Sequence, residues 1–353
     1  MENQRQNVSE TEDLLAVFQR NTRSKTSTDG GEYSEPIPVD LVAEIFVRLP
    51  LKSIARSRCL SKYWASILRL PYFTELFLTR SCARPRLLFS FLKDGWMPRK
   101  THHVSVVCNP STGQTLTVNS RRRLGVRSYF GYDPIDKQHK VLAMTWKVNR
   151  NYWMVSEEHQ VLTLGTSEPS WRMIECCIPH TPLYSEYYNI CINGVLYYQA
   201  VNKSSGDCII VCFDVKSEKF SFVKDKDAFT TSYGCAALIN YKGKLGSLLF
   251  RKSFTYYGSI KLRVLEDAEK HEWSEHIFVL PTSWKNIFQD TWLHVVKVTQ
   301  TNEIVLARSS SDVLYYNTET NTIRKVAIHG MEEAFKDGIV YAFGDHVEDV
   351  KLL

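Results

Sequence analysis

The sequence predicts an α+β chain whose two kinds of structure occupy separate domains: a short three-helix module, then an all-β domain of propeller-like (kelch-like) build. Three observations predict it. Apolar residues recur with a helical period from Pro38 to Phe77, the period falls to two after Arg86, and the second region repeats itself about every 50 residues. With 353 residues, 44% of them hydrophobic, the chain can bury sizeable cores in more than one domain.

Residues 1–35 are polar and end in TSTDGGEYSEP, which predicts a disordered tail. The helical module is expected over 36–82. Pro38 suits a helix start because its missing N–H has no intrahelical partner there. Leu41, Ile45 and Leu49 then recur at i, i+4 and i+8 beside Val42 and Phe46, so the apolar stripe covers more than one face. Pro50 ends this helix and Leu51–Arg58 restarts it. Ser61 can cap a third piece carrying Trp64, Ile67 and Leu68, and Pro71 opens a further short run through Phe73, Leu76 and Phe77.

Over 83–353 the segments are short, β-branched or aromatic, and separated by turn residues. One unit recurs as VVCNPSTGQTLTV, VLTLGTSEPSWRMI, VCFDVKSEKFSFV, RVLEDAEKHEWSEH and VLYYNTETNTIRKV. The turns begin at Asn109, Gly165, Asp214, Asp267 and Asn317, spaced by 56, 49, 53 and 50 residues. Complementary hairpins such as FGYDPIDKQHKVLA and LINYKGKLGSLLF lie between them, giving four strands per unit, the blade of a propeller. IVYAFGDHVEDVKLL is placed to add strands or to close the ring on the first blade. A β-sandwich fits the same turn spacing, but the near-constant period favours the propeller.

Nothing in the sequence points to a membrane: there is no basic stretch leading into an apolar core at the N-terminus and no apolar run of spanning length. The nine cysteines are scattered through apolar runs and read as thiols of a reducing compartment, cytoplasm and/or nucleus. Only Cys208 and Cys212 approach a ligand pair, so neither metal nor cofactor is expected. His271 and His276 have the wrong spacing for a helical zinc motif, and YKGKLGS around Gly243 lacks the first glycine of a phosphate loop. Glu157 with Glu158 and Glu266 with Asp267 fall in turns, and no GxSxG elbow occurs, so the chain reads as non-catalytic.

Between Pro36 and Arg86 nine basic residues face three acidic ones, a local +6 that equals the net charge of the whole chain. Such a surface implies an acidic partner. SIARSRCLSK permits a nucleic-acid-binding helix-turn-helix, but it lacks the usual turn glycine and any dimerisation element, so no nucleic-acid partner is expected. The other reading is a module whose apolar stripe is shared between its own small core and a permanent partner, because about 50 residues barely stabilise three short helices alone.

Ile37-Pro38, Asp40-Leu41, Glu44-Ile45, Arg48-Leu49-Pro50, Lys52-Ser53, the Arg56–Cys59 run, Ser61-Lys62 and Trp64 resemble the F-box nearly end to end, with Ile37 where leucine is more usual. GYDPIDKQHKVL, VLTLGTSEPSWRMIE, INGVLYY, CFDVKSEKFSFV and LINYKGKL are similar to the type 3 F-box-associated domain of plant F-box proteins. The resemblance implies the substrate-recognition subunit of a Skp–cullin–F-box ubiquitin ligase, or an F-box module acting outside such a ligase. It implies docking on the Skp adaptor, and through it on cullin and the RING subunit, by Ile37, Pro38, Leu41, Ile45, Leu49, Pro50 and Leu51. Trp64 would pack the module from within. An unidentified protein target is expected on propeller loops such as those around Arg121–Arg123 or Tyr256 and Tyr257.

Overall fold

A computed structural model describes residues 37–83, 86–93, 105–118, 125–146, 158–165, 170–183, 189–224, 236–249, 259–281, 284, 293–299, 301–308, 312–329 and 338–350. The chain divides into two compact units, Met1–Arg48 and Leu49–Leu353. The expected disordered tail lies outside the described residues.

The first unit contributes helix α1, Val39–Phe46. Pro38 stands just before it as the capping residue, and its carbonyl accepts the first helical hydrogen bond from the Val42 N–H (3.1 Å). Val42, Ala43, Phe46 and Val47 are buried. Glu44 and Arg48 add an i, i+4 ion pair at 3.6 Å, worth only a few tenths of a kcal/mol at such exposure.

The second unit begins with helices α2 (Leu51–Leu60), α3 (Lys62–Ile67) and α4 (Pro71–Cys82). Each starts where the sequence places a start signal. The Pro50 carbonyl receives the first bonds of α2, the Ser61 hydroxyl accepts from the Tyr63 N–H (3.2 Å), and Pro71 occupies the first turn of α4. Ile54, Ile67, Leu68, Phe73 and Phe77 are buried, with the two phenylalanine rings 6.2 Å apart.

The β region holds four antiparallel meanders and two strand pairs among the described residues. The pairs are β1 (Arg86–Lys93) with β21 (Gly338–His346), and β2 (Ser105–Asn109) with β3 (Gln114–Val118). The meanders are β4–β7 (Gly125–Asp133, Gln138–Trp146, Glu158–Thr163, Trp171–Ile174), β8–β12 (His180–Pro182, Asn189–Ile192, Val195–Asn202, Cys208–Asp214, Phe220–Lys224), β13–β16 (Ala236–Tyr241, Lys244–Leu249, Ser259–Asp267, Glu272–Val279) and β17–β20 (Leu293–Val298, Glu303–Arg308, Asp312–Asn317, Thr322–Ala327). The leading strands β4, β9, β13, β17 and β21 neighbour one another in that order, the radial arrangement of propeller blades. Pairing of β21 with β1, from Arg86 opposite His346 to Lys93 opposite Gly338, joins the two ends of the β domain.

One sheet has five strands where four are expected. β8 ends at Pro182 opposite Ala200, and β9 resumes at Asn189 opposite Tyr198, so both follow the same edge of β10 in the same direction. They amount to one leading strand interrupted opposite Gln199. The repeat unit is therefore still four-stranded.

Four of the five periodic turns share one construction with the β4–β5 hairpin turn at Asp133, while the turn after Gly165 lies largely outside the described residues. Asn109, Asp133, Asp214, Asp267 and Asn317 each accept a backbone N–H two or three residues on, for example Ser111 N–H to Asn109 (2.9 Å) and Glu269 N–H to Asp267 (2.9 Å). The fourth residue after each, Gly113, Lys137, Glu218, His271 and Asn321, has φ between 51° and 74°. The short polar side chain fixes the turn, and the left-handed residue returns the chain to the ladder. Asn193-Gly194 and Lys242-Gly243 supply the two-residue hairpins, both residues at positive φ.

Successive meanders pack face to face. Leu142, Met144, Val161, Leu196, Tyr198, Val211 and Phe213 fill the space between β4–β7 and β8–β12, while Leu248, Ile260, Leu262, Ile304, Leu306 and Leu314 fill that between β13–β16 and β17–β20. An ion cluster joins the first two meanders: Lys140 lies 2.7 Å from Glu218, which also takes a two-pronged hydrogen bond from Arg172. Burial pulls the Glu218 carboxyl upward, but Arg172 and Lys140 outweigh it and hold it below its ordinary value. Lys140 keeps only 9% side-chain exposure, so Glu218→Gln, which removes the charge and keeps the shape, is expected to destabilise the β domain by about 3 kcal/mol. Urea denaturation midpoints of the two proteins measure this, and equal midpoints would refute it.

Candidate functional site

Helix α1 is apolar on two faces. Val42 and Phe46 are buried, whereas Ile37 is 57%, Leu41 55% and Ile45 54% exposed. Leu41 and Ile45 stand at i and i+4 on one side of the helix, and Ile37 lies two residues before its start, ahead of the Pro38 cap. An eight-residue helix has no stability of its own to set against such a row, and burying the exposed part of each side chain is worth about 1 kcal/mol. The row is suited to a hydrophobic groove on another protein.

In the second unit Leu49 and Pro50 are exposed and Leu51 is half-buried. Lys52, Arg56, Lys62 and Arg69 are exposed as well. Trp64 departs from its expected interior role: it is 38% exposed, and the interior positions are taken by Ile54, Ile67, Leu68, Phe73 and Phe77. Leu60, 78% exposed, and Tyr72 were missed by sequence reasoning. Leu60 could have been found, because six residues after buried Ile54 it stands about 120° round α2 from it and so off the buried face.

Arg58, at the centre of the basic run, is turned inward. Its Nη2 donates to the carbonyls of Leu68 (2.8 Å) and Val350 (3.3 Å). Burial first, and then the charge of Arg69, lower its pKa. A guanidinium committed to two backbone carbonyls is not presented to a groove of nucleic acid, which removes a central residue from the helix-turn-helix reading. Ion pairs Lys137–Glu75 (3.2 Å) and Arg86–Glu348 (2.8 Å) add exposed ties within the same unit.

The loops around Arg121–Arg123 and Tyr256 and Tyr257 lie outside the described residues. On the described surface of the β domain the exposed apolar side chains include Met173, Ile277 and Val279, all on the outermost strands β7 and β16. Cys208 and Cys212 are four residues apart on extended β11, a separation of about 13 Å, so they do not form a ligand pair.

The nearest approach to a catalytic pair among the described residues is Cys176 Sγ and His180 Nδ1, 3.8 Å apart. The arrangement does not activate the thiol. Burial raises the Cys176 pKa to about 11, and His180 directs Nδ1 at the Ile178 carbonyl (2.8 Å) and Nε2 at the Tyr198 hydroxyl (2.8 Å). Burial also lowers the pKa of His180, and brings His159, with help from the neighbouring His180, down to about 4. No helix among the described residues is long and apolar enough to cross a membrane.

A helical segment with an exposed apolar row precedes β-meanders whose leading strands neighbour one another in propeller order. Residues 36–76 match the F-box domain, and residues 80–347 match the F-box associated beta propeller domain. The chain is 45% identical to the Arabidopsis thaliana F-box protein At5g65850, over 99% of this chain and 98% of that protein. It is 46% identical to the Arabidopsis thaliana F-box protein DOR, over 91% and 95% of the two chains. The chain belongs to the F-box proteins of plant type that carry an F-box-associated β-propeller domain.

Proposed function

We propose that this chain is the substrate-recognition subunit of a Skp–cullin–F-box ubiquitin ligase. Its F-box docks on the Skp adaptor through Ile37, Pro38, Leu41, Ile45, Leu49, Pro50 and Leu51, and its β domain holds a protein target for ubiquitin transfer by the cullin–RING assembly. The observation that carries this is the set Ile37, Leu41 and Ile45, each more than half exposed, the last two on a helix whose other apolar face is buried. Family membership supports it independently. No residue of this chain then acts on the reacting atoms. The receptor raises the effective concentration of target lysines near the transferring enzyme. We place its action in the cytoplasm and/or nucleus, in keeping with cysteines that form no disulfide among the described residues.

Mixing the purified chain with a Skp adaptor tests the proposal, the expected product being a one-to-one complex. The exposed basic residues of the F-box would steer an acidic adaptor, while apolar contact sets the lifetime. Raising salt from about 0.05 M to about 0.5 M is therefore expected to slow association several-fold and to leave dissociation nearly unchanged. Surface-bound kinetics measure both rates. Absence of a complex would refute the reading, and a salt effect confined to dissociation would refute the division of labour.

A further inference from the structure

Three metal-ligating side chains meet where the β4–β7 meander adjoins the β8–β12 meander. His159 on β6, Cys176 in the connection from β7 to β8, and His180 at the start of β8 each offer one ligand atom, and these atoms all lie within 4.8 Å of one another. They come from opposite sides of a boundary between blades. His159 and His180 are buried, with ring centroids 5.3 Å apart, and Cys176 is partly exposed.

In a tetrahedral zinc site, with Zn–S about 2.3 Å and Zn–N about 2.0–2.1 Å, ligand atoms stand roughly 3.5 Å apart. The Cys176 Sγ to His180 Nδ1 distance of 3.8 Å is already close to that value, and His159, within 4.8 Å of both, has at most about 1.3 Å to close. Phe220 and Phe222 meet the two imidazoles edge-on at 5.3 and 6.1 Å, forming an apolar wall. The partly exposed thiol leaves an ion a way in.

The surroundings of His180 fit a ligand. Without an ion, Nδ1 carries the proton, donating to the Ile178 carbonyl, and the Tyr198 hydroxyl donates to Nε2. An ion on Nδ1 shifts the proton to Nε2, which then donates to the Tyr198 oxygen. The same 2.8 Å contact thus becomes the outer hydrogen bond that orients metal-bound imidazoles. Ile178 lies in the irregular segment 175–179, outside the strand ladders, and its carbonyl must turn aside for an ion to take its place on Nδ1.

We propose that His159, Cys176 and His180 form a binding site for Zn²⁺, with the fourth position open to water. Two imidazoles and one thiolate suit a borderline-soft first-row ion and not Mg²⁺ or Ca²⁺. Binding replaces the S–H bond of Cys176 by an S–Zn bond and releases the thiol proton to solvent. The ion joins β6 to the start of β8 and so staples two blades.

The test uses the full chain, free of any affinity tag, stripped with a chelator and titrated with Co²⁺ as the spectroscopic substitute for Zn²⁺. One Co²⁺ per chain is expected, with thiolate-to-cobalt charge-transfer absorption that Zn²⁺ abolishes by displacement. Cys176→Ser is expected to remove that absorption and to weaken binding at least tenfold, while Cys208→Ser leaves both unchanged. Because Cys176 is partly exposed, the serine variant should fold, and its melting temperature without metal provides the control. His159→Gln serves as the second variant, with the same weakening expected. Failure to bind stoichiometrically, charge-transfer absorption that survives Cys176→Ser, or a cobalt spectrum without thiolate intensity would each overturn the assignment.

Discussion

Exchanging Leu41 and Ile45 together for aspartate is expected to abolish copurification with the Skp adaptor while leaving the β domain folded. Both side chains are more than half exposed in the free chain, so the substitutions remove little internal packing. In the complex they forfeit about 1 kcal/mol of burial each. They also bring two carboxylates into an apolar contact at a cost of about 2 kcal/mol or more apiece. Together these reach roughly 6 kcal/mol, a loss of affinity of more than about ten-thousandfold. Val42→Asp, on the buried face of the same helix, should instead disrupt α1 itself. Adaptor pull-down combined with thermal melting separates the two effects. Retained binding by the Leu41 and Ile45 double variant would count heavily against the docking face.

The second large effect is a loss of stability in acid, centred on His159 in the metal-free chain. In the unfolded chain an imidazole takes up a proton as pH falls through about 6.5. In the folded chain burial, followed by the neighbouring His180, keeps His159 neutral down to about 4. Between those values the unfolded state binds more protons, so its population grows as pH falls. The stabilisation is complete above about 6.5, declines through the window, and is fully lost below about 4. His159 alone is worth about 3 kcal/mol across it. His180, its pKa also lowered by burial, acts in the same direction. Urea midpoints of chelated protein at pH 7 and pH 4.5 measure the change. His159→Gln should flatten the dependence, and an equally steep dependence in that variant would show that the protons are taken up elsewhere.

Much of this architecture was legible in local chemistry. Pro38, Pro50, Ser61 and Pro71 mark helix starts because each satisfies or lacks a particular backbone donor, a property that travels with the residue. Likewise the turns at Asn109, Asp214, Asp267 and Asn317 each join the last two strands of a repeat, because a short polar side chain fixes its own turn without help from distant residues. The alternation of buried and exposed apolar residues on α1 could be read as a stripe too wide for one face.

Features that depend on distant partners were not legible. Arg58 looks like any other member of a basic run until the Val350 carbonyl, 292 residues on, arrives beside it. Trp64 has the composition of a core residue, but the interior is already filled by Phe73 and Phe77. The interruption between β8 and β9 is visible only in the register along β10. The cluster of His159, Cys176 and His180 contains no close-spaced pair of cysteines or of histidines to mark it in the sequence. Its one local signal, cysteine and histidine four residues apart, gains meaning only when β6 brings the second imidazole.

Hydroxyl-radical footprinting of the chain, alone and with the Skp adaptor, tests the docking face most directly, because labelling reports side-chain exposure. Strong labelling of Ile37, Leu41 and Ile45 is expected in the free chain and is expected to be lost in the complex, with Ile277 and Val279 on β16 labelled equally in both states. A complex in which Ile37, Leu41 and Ile45 remain as reactive as in the free chain would contradict the docking face.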